Sequence, residues 1–206
     1  MLHRRARPGQ GIGMVPPMLA RRFEATSVAN VTRDAAVVVS GSALIALAAQ
    51  VAVPLPFSPV PVTGQTFAVL TLAGSLGLRL GTLAVALYVV EGLAGLPVFA
   101  GGASGFARLA GPTGGYLVGF IGAAAVIGAL VDRGWGRGWR PVIAMVLGEV
   151  VLYACGLAWL ARFPLQSGLL QAGLLPFLVG DAYKLVAAVA VVSGATRIGW
   201  VQAVRR

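Results

Sequence analysis

The chain has 206 residues, of which 58% are hydrophobic and 11% are charged. A soluble domain carries about 25% charged residues, so this chain has less than half the usual supply of groups that keep a surface in water. Because a membrane-spanning helix needs about 20 apolar residues, the length allows roughly six or seven spans and no appended soluble enzyme domain. The composition therefore predicts an all-α integral membrane protein.

Hydrophobic runs between breaking residues predict six transmembrane helices in one domain. The first run stops at Pro54, and the second and third are separated by a turn at Gly77 to Arg79. Two runs are shorter than a usual span, and such helices need neighbouring backbone that is buried in protein or lines a cavity. The predicted spans are residues 34–53, 65–76, 80–96, 113–131, 141–160 and 177–199.

The positively charged residues predict the orientation, because they concentrate in cytoplasmic loops. With both termini in the cytoplasm, the outer loops hold only Arg108 and Arg162. The orientation in the membrane then explains the net charge of +10, and we expect no nucleic-acid partner. The cations assigned to the cytoplasmic side are Arg4, Arg5, Arg7, Arg21, Arg22, Arg33, Arg79, Arg133, Arg137, Arg140, Arg197, Arg205 and Arg206.

Residues 1–33 are predicted to form a basic cytoplasmic tail, residues 34–200 the transmembrane domain, and residues 201–206 a short C-terminal tail. The first of these lacks the apolar core of about 7 to 15 residues that a cleaved signal peptide requires. We expect the domain to lie in a lipid bilayer. The single cysteine, Cys155, permits no intrachain disulfide and does not support a metal site, so neither a metal ion nor a cofactor is expected.

Four prolines, at positions 54, 56, 59 and 61, lie between the first two predicted helices. They forbid a helix and favour extended backbone, and the apolar residues between them should pack against protein. Thr63 and Gln65 follow directly and place hydrogen-bonding side chains at the start of the second helix. A stiff connector without a binding role is the simpler alternative.

The connection from Leu96 to Tyr116 contains six glycines and two prolines around Phe99 and Arg108. Glycine permits close approach of backbone to a ligand, which leaves its N–H available to donate. The aromatic and apolar content of this stretch favours an ordered cap over a mobile turn.

Asp181 and Lys184 lie near the start of the sixth predicted helix, three residues apart and therefore on one face. Ionisable residues in a span cost about 2.5–3.5 kcal/mol each, so they usually face a cavity and have a function. An ion pair that only neutralises itself is the alternative. Lys184 is the only lysine in the sequence, and the predicted topology places it towards the outer side.

The predicted topology brings these three stretches to the outer side of the membrane. Together they predict a pocket with an apolar and aromatic wall, backbone donors, one acid and one amine. The ligand expected from such a pocket is a small, partly apolar molecule with polar ends, one of them anionic.

Other polar residues give weaker signals. Glu91 and Glu149 lie within spans, and either a proton relay or a hydrogen bond to a neighbouring helix fits them. The stretch Gly102-Ala-Ser104-Gly105 resembles the nucleophile motif of rhomboid intramembrane proteases, which need a histidine on a later helix. The only histidine is His3, in the predicted tail, so no such dyad can form and no enzymatic activity is expected.

Four motifs succeed one another along the chain: Pro59-Val-Pro-Val-Thr-Gly-Gln65, Gly95-Leu-Pro-Val-Phe-Ala-Gly-Gly102, Gly111-Pro-Thr-Gly-Gly-Tyr116 and Gly180-Asp-x-x-Lys184. Their order and spacing closely resemble the BioY family, the biotin-capturing S components of energy-coupling-factor (ECF) vitamin transporters. The resemblance covers about residues 35–200 and leaves out the basic N-terminal stretch.

The resemblance implies a six-helix S-component fold whose outer loops close over biotin. It implies that Asp181 accepts a ureido N–H and that Lys184 donates to the ureido oxygen or to the valerate carboxylate. Thr63 and Gln65 are expected to add side-chain hydrogen bonds. The remaining expected wall and lid residues are Phe99, Gly101, Gly102, Arg108, Gly114, Gly115 and Tyr116.

The resemblance also implies protein partners, namely a transmembrane coupling subunit and ATPase subunits. These are expected to contact small residues on the first helix, where Ala36/Ser40 and Ser42/Ala46 have small-xxx-small spacing. A carrier that works without ATPase partners, an S component for another small vitamin-like solute and a purely structural membrane subunit are the competing hypotheses.

One departure from the family pattern concerns the biotin carboxylate. Some members hold it with an asparagine or an arginine at positions where this chain has Ala103 or Ser104, and Leu117. Carboxylate recognition then falls to Lys184, to Arg108 or to backbone N–H groups.

Overall fold

The computed structural model describes residues 17–198 and 201, with side chains from residue 28 onward. The chain divides into two compact units, Met1–Ala35 and Ala36–Arg206. In the first unit the described chain is helical, and the Arg33 guanidinium lies 3.2 Å from the Asp34 carboxylate. The expected N-terminal tail is therefore helical from residue 17, while residues 1–16 and the expected C-terminal tail beyond Val201 lie outside the described residues.

Helices make up most of the described chain. The connections include a 3-10 turn at Ala100–Gly102, a π-helical turn at Val131–Trp135 and two β-strands, β1 (Ala52–Leu55) and β2 (Ser58–Thr63). The helices are α1 (Pro17–Gln50), α2 (Gln65–Leu93), α3 (Phe106–Ala110), α4 (Gly114–Leu130), α5 (Arg140–Leu160), α6 (Leu169–Gly173) and α7 (Leu175–Arg197).

Helix α2 consists of two antiparallel arms, residues 65–76 and 78–93, joined by a break at Gly77 with φ 78° and ψ −170°. In a continuous helix Gln65 and Tyr88 would be about 34 Å apart, yet the Gln65 Nε2 lies 2.7 Å from the Tyr88 hydroxyl. Five described elements are long and apolar enough to cross a membrane. Because α2 supplies two arms, the prediction of six apolar helices is confirmed.

The break at Gly77 depends on the absence of a side chain there. A Cβ atom on this residue would lie 2.3 Å from Asp132 Oδ1, and the positive φ is one that other residues rarely adopt. Asp132 Oδ2 accepts a hydrogen bond of 2.9 Å from the Leu78 N–H. The carboxylate therefore satisfies a free donor at the start of the second arm.

The four prolines lie in an antiparallel hairpin of β1 and β2, which we call the proline hairpin (residues 52–63). Ala52 pairs with Thr63 and Val53 with Val62, after which the register shifts between Val53 and Leu55. Pro54 occupies this irregularity, as expected for a residue that cannot donate to a strand ladder. The extended backbone predicted for this stretch is confirmed, and it adds a short sheet to a helical fold.

The proline hairpin meets two other connections at one end of the bundle. These are residues 94–113, which we call the glycine loop, and α6 with its flanking residues. The Ser58 hydroxyl donates to the Ala172 carbonyl at 2.5 Å, and the Trp159 indole N–H donates to the Gly111 carbonyl at 3.0 Å. We call this the loop end of the bundle.

The core lies between α2, α4, α5 and α7, where Tyr88, Ile127 and Met145 are fully buried. Large apolar side chains such as Val179 and Val186 are instead exposed on the outside of α7, at 69% and 66%. An outer surface rich in exposed valine and leucine is expected of helices that face lipid rather than water.

Candidate functional site

A cavity opens at the loop end, bounded by α2, α4, α5 and α7 and by the proline hairpin and the glycine loop. Its empty space is about 700 Å³ with the open mouth and the solvent in it included. The polar lining residues are Thr63, Gln65, Thr66, Arg108, Thr113, Tyr116, Tyr153, Asp181 and Lys184. The apolar ones are Val60, Pro61, Phe99, Ala100, Leu117, Phe120, Leu152 and Phe177.

Asp181 and Lys184 form an ion pair in the cavity wall. The Lys184 Nζ lies 2.8 Å from Asp181 Oδ1, and the two side chains are 19% and 5% exposed. The Tyr153 hydroxyl, from α5, donates to Asp181 Oδ2. A buried carboxylate needs such donors, because an unpaired charge in this environment costs several kcal/mol. The predicted shared face is confirmed, and the pair lines the cavity.

Gln65 is held by both arms of α2 and by the proline hairpin. Its Oε1 accepts a hydrogen bond of 2.9 Å from the Thr63 hydroxyl, and its Nε2 donates to the Tyr88 hydroxyl at 2.7 Å. The Tyr88 ring in turn meets the Phe99 ring edge-on, with centroids 5.6 Å apart. The amide is thus fixed in orientation beside the cavity.

Phe99, Arg108 and Tyr116, three of the residues singled out in the sequence, line the cavity. Phe99 is 3% exposed, while Arg108 is exposed and lies in the short helix α3 of the glycine loop. The Tyr116 hydroxyl donates to the Gly173 carbonyl at 2.7 Å, so it ties α4 to α6.

The structure places the four expected glycines outside the lining. Gly101 and Gly102 lie in the exposed 3-10 turn next to Ala100, which does line the cavity. Gly114 and Gly115 lie at the start of α4, where added Cβ atoms would be 1.7 Å from Leu109 O and 2.3 Å from Trp159 Cβ. Both allow close packing of α4 against its neighbours.

The four small residues of α1 point in different directions. Ala36 and Ser40 are exposed, and Ala46 is partly buried. Ser42 is fully buried, and its hydroxyl donates to Glu91 Oε2. The expectation that Ser42 contacts a partner is therefore corrected, because its side chain binds the neighbouring arm of α2.

Glu149 lies on α5, one turn before Tyr153, and its Oε1 is buried without a hydrogen-bond partner among the described residues. It interacts electrostatically with Asp181 and Lys184 but does not line the cavity. For Glu91 the sequence left a proton relay or a hydrogen bond to a neighbouring helix as alternatives. The structure shows the hydrogen bond, which comes from Ser42 of α1.

Sequence reasoning did not identify Tyr153, Phe120 or Phe177 as cavity residues. Each is an aromatic residue inside an apolar run, where a core position and a cavity position look alike. The signal that was present for Tyr153 is its polar hydroxyl within a span, which needs a hydrogen-bond partner when buried.

Long apolar helices around a cavity that contains a buried ion pair define a multi-pass membrane protein with a candidate small-molecule site. A family model described as the BioY family matches residues 19–199. The chain belongs to this family.

Curated relatives match most of the chain. The "Biotin transporter BioY" of Thermotoga maritima is 42% identical over 149 residues, which cover 71% of this chain and 86% of the relative. The "Probable biotin transporter BioY" of Pyrococcus horikoshii is 39% identical over 147 residues, with the same two coverages. The relative from Rhizobium etli, also named "Biotin transporter BioY", is 37% identical over 180 residues and is covered over 95% of its length. These relatives carry the names of transporters rather than enzymes.

A solved structure has the same fold. It is described as the S-component for biotin from an ECF-type ABC transporter and superposes with a TM-score of 0.75 at 26% identity. The superposition covers 88% of this chain and 98% of the solved one.

Proposed function

We propose that this chain captures biotin at the loop end and serves as the S component of an ECF-type transporter. The observation that carries the proposal is the hydrogen-bonded group of Tyr153, Asp181 and Lys184 in the wall of the cavity at the loop end. Membership of the BioY family supports biotin as the ligand, and the match to the solved structure supports the ECF class of transporter. The function is binding and uptake, without a catalytic step.

We place the ureido ring of biotin against Asp181. This carboxylate holds its two donors on separate oxygens and keeps lone pairs free to accept a ureido N–H. Lys184 has protons left beyond its bond to Asp181, so it can donate to the ureido oxygen. The fused sulfur ring then fits against the aromatic side chains of Phe99, Phe120 and Phe177, which suit an apolar body.

We place the biotin carboxylate at the mouth, beside Arg108. Of the two cations that line the cavity, Arg108 is exposed on the glycine loop, whereas Lys184 is already paired with Asp181. A carboxylate is costly to remove from water, so a partly hydrated position next to a guanidinium is the less expensive one. This assignment chooses Arg108 over Lys184 for the carboxylate.

We propose that the loop end faces outward in a bacterial cytoplasmic membrane, with both termini in the cytoplasm. Arg137 and Arg197 lie at the other end of α5 and α7, and the positive-inside rule assigns that end to the cytoplasm. The exposed small residues Ala36 and Ser40 are available to the coupling subunit. The ATPase subunits supply the energy that this chain, with no nucleotide motif, does not.

Two measurements test this function. Purified chain in detergent should bind radiolabelled biotin saturably, and excess unlabelled biotin should displace it. Binding of another vitamin in preference to biotin would contradict the ligand. Uptake in cells should require the coupling and ATPase subunits, and uptake that persists in cells lacking all of them would identify a solitary carrier.

A further inference from the structure

The glycine loop is tied to the bundle by the last residue of α1. Gln50 Oε1 accepts a hydrogen bond of 3.1 Å from the Gly102 N–H. The Gln50 Nε2 is oriented by the Ala46 carbonyl at 2.9 Å, and it reaches the Val98 and Phe99 carbonyls at 3.4 and 3.5 Å. The Gln50 side chain thus bonds both ends of the 98–102 turn, which contains the cavity residue Phe99.

The glycine loop has the backbone freedom to move as a flap. Gly95, Gly101, Gly102 and Gly105 have φ values of 102°, 68°, 71° and 84°, and a Cβ atom added to any of them would meet no packed neighbour within 4 Å. Positive φ without nearby packing means that these residues serve backbone geometry rather than close contacts. Such flexible points on both sides of a short segment are typical of hinges.

Phe99 is a lining residue of the glycine loop that is buried against α2. Its ring occupies the space beside Gly92, where a Cβ atom would lie 2.1 Å from the ring, and it meets Tyr88 edge-on. Tyr88 accepts the hydrogen bond from Gln65. A displacement of Phe99 therefore moves part of the cavity wall and also loosens the support of Gln65, a polar lining residue.

The proline hairpin, on the other side of the mouth, has its own attachments. The Ser58 hydroxyl donates to Ala172 O at 2.5 Å, and the Ser167 hydroxyl donates to Phe57 O at 2.9 Å. Strand pairing between β1 and β2 adds further hydrogen bonds. The hairpin therefore has several restraints. The glycine loop is bonded to α2 where it leaves the turn, since the Gly105 N–H donates to the Gly92 carbonyl at 2.7 Å, and the side chain that bonds the 98–102 turn itself is Gln50.

We infer that biotin enters and leaves beneath the glycine loop, and that Gln50 is a positioning residue that holds this loop closed. The inference rests on the proposed function for the identity of the ligand. Because Gln50 does not line the cavity, it acts on the exchange rate through Gly102 and Phe99 rather than by touching the ligand. Loss of the Gln50 hydrogen bonds should raise the population of the open loop both in the free protein and in the complex, so association and dissociation rates should rise together.

The test is Gln50→Ala, which removes the bonds of Gln50 to the 98–102 turn, with Ser167→Ala as a control that removes an exposed side-chain hydrogen bond to the proline hairpin instead. With radiolabelled biotin on purified chain, we expect Gln50→Ala to raise both rates about three- to tenfold, consistent with the loss of one or two hydrogen bonds. The dissociation constant should change less than about threefold. Ser167→Ala should leave both rates unchanged. Gln50→Glu, which keeps an acceptor for the Gly102 N–H, should give rates between wild type and Gln50→Ala.

Hydrogen exchange of the free protein provides a readout that does not depend on biotin. Amides of residues 96–106 should exchange faster in Gln50→Ala, while those of β1 and β2 stay as in wild type. Unchanged exchange of residues 96–106 in Gln50→Ala would overturn the assignment of Gln50 to the loop. Faster biotin release in Ser167→Ala than in Gln50→Ala would overturn it as well. Failure of the wild-type chain to bind biotin would instead contradict the proposed function, and the exchange measurement would still decide whether Gln50 holds the loop.

Discussion

Replacement of Lys184 by methionine separates the contribution of the ion pair to the fold from its contribution to the ligand. The variant loses the ammonium group 2.8 Å from Asp181 and leaves a carboxylate whose side chain is 5% exposed. In the described structure the Tyr153 hydroxyl is then its remaining side-chain donor. Breaking a buried pair from one side costs about 3–5 kcal/mol, because the other charge stays buried without compensation. We therefore expect Lys184→Met to lower the thermal unfolding temperature and to weaken biotin binding by at least tenfold.

The double variant Asp181→Asn/Lys184→Met removes both charges and is the informative comparison. Replacing a buried pair by neutral groups of similar volume is often nearly neutral for stability, so the double variant should unfold close to wild type. Its biotin affinity should stay at least tenfold weaker, about 1.4 kcal/mol. Arg197→Met, at the other end of the same helix, is the control for removal of a cation and should bind normally.

Circular dichroism melting in detergent measures stability, and calorimetric titration with biotin measures affinity. A double variant that binds biotin as tightly as wild type would refute the assignment of Asp181 and Lys184 to the ligand. A double variant as unstable as Lys184→Met would refute the argument from an uncompensated charge.

Three further predictions concern single residues in and next to the cavity. Arg108→Ala should weaken biotin about tenfold but leave the affinity for biotin methyl ester unchanged, and an equal loss for both in titrations would exclude Arg108 as the carboxylate partner. Gly92→Ala should displace the Phe99 ring and destabilise the protein by about 1–3 kcal/mol, measured by thermal unfolding; wild-type stability would contradict the observed packing. Tyr153→Phe keeps the ring but removes the donor to Asp181, so biotin affinity should fall about tenfold in titrations, and wild-type affinity would show that the hydroxyl is dispensable.

The helices could be predicted from sequence because a helix that spans a membrane needs a long run of apolar residues. The break at Gly77 was visible as a turn between two short runs, and the clustered prolines indicated extended backbone between α1 and α2. These are local properties, which depend on few contacts distant in sequence. The pairing of Asp181 with Lys184 was equally local, since both lie on one face of α7.

The residues that sequence reasoning missed or placed differently depend on how the helices pack. Tyr153 reaches Asp181 because of the way α5 packs against α7. The order of residues within α5 does not predict which residue of α7 lies opposite Tyr153. Gly114 resembles a ligand-contacting glycine in sequence, but its open side faces the backbone of Leu109. Ser42 has the spacing of a helix-contact residue, and the helix it contacts is within the same chain.

The most direct test of the account is an experimental structure of this chain with biotin bound. We predict the ureido ring within hydrogen-bond distance of Asp181 and Lys184, the carboxylate beside Arg108, and Phe99 closed over the ligand. Biotin bound outside this cavity, or bound with its carboxylate at Asp181 and its ureido ring at the mouth, would contradict it.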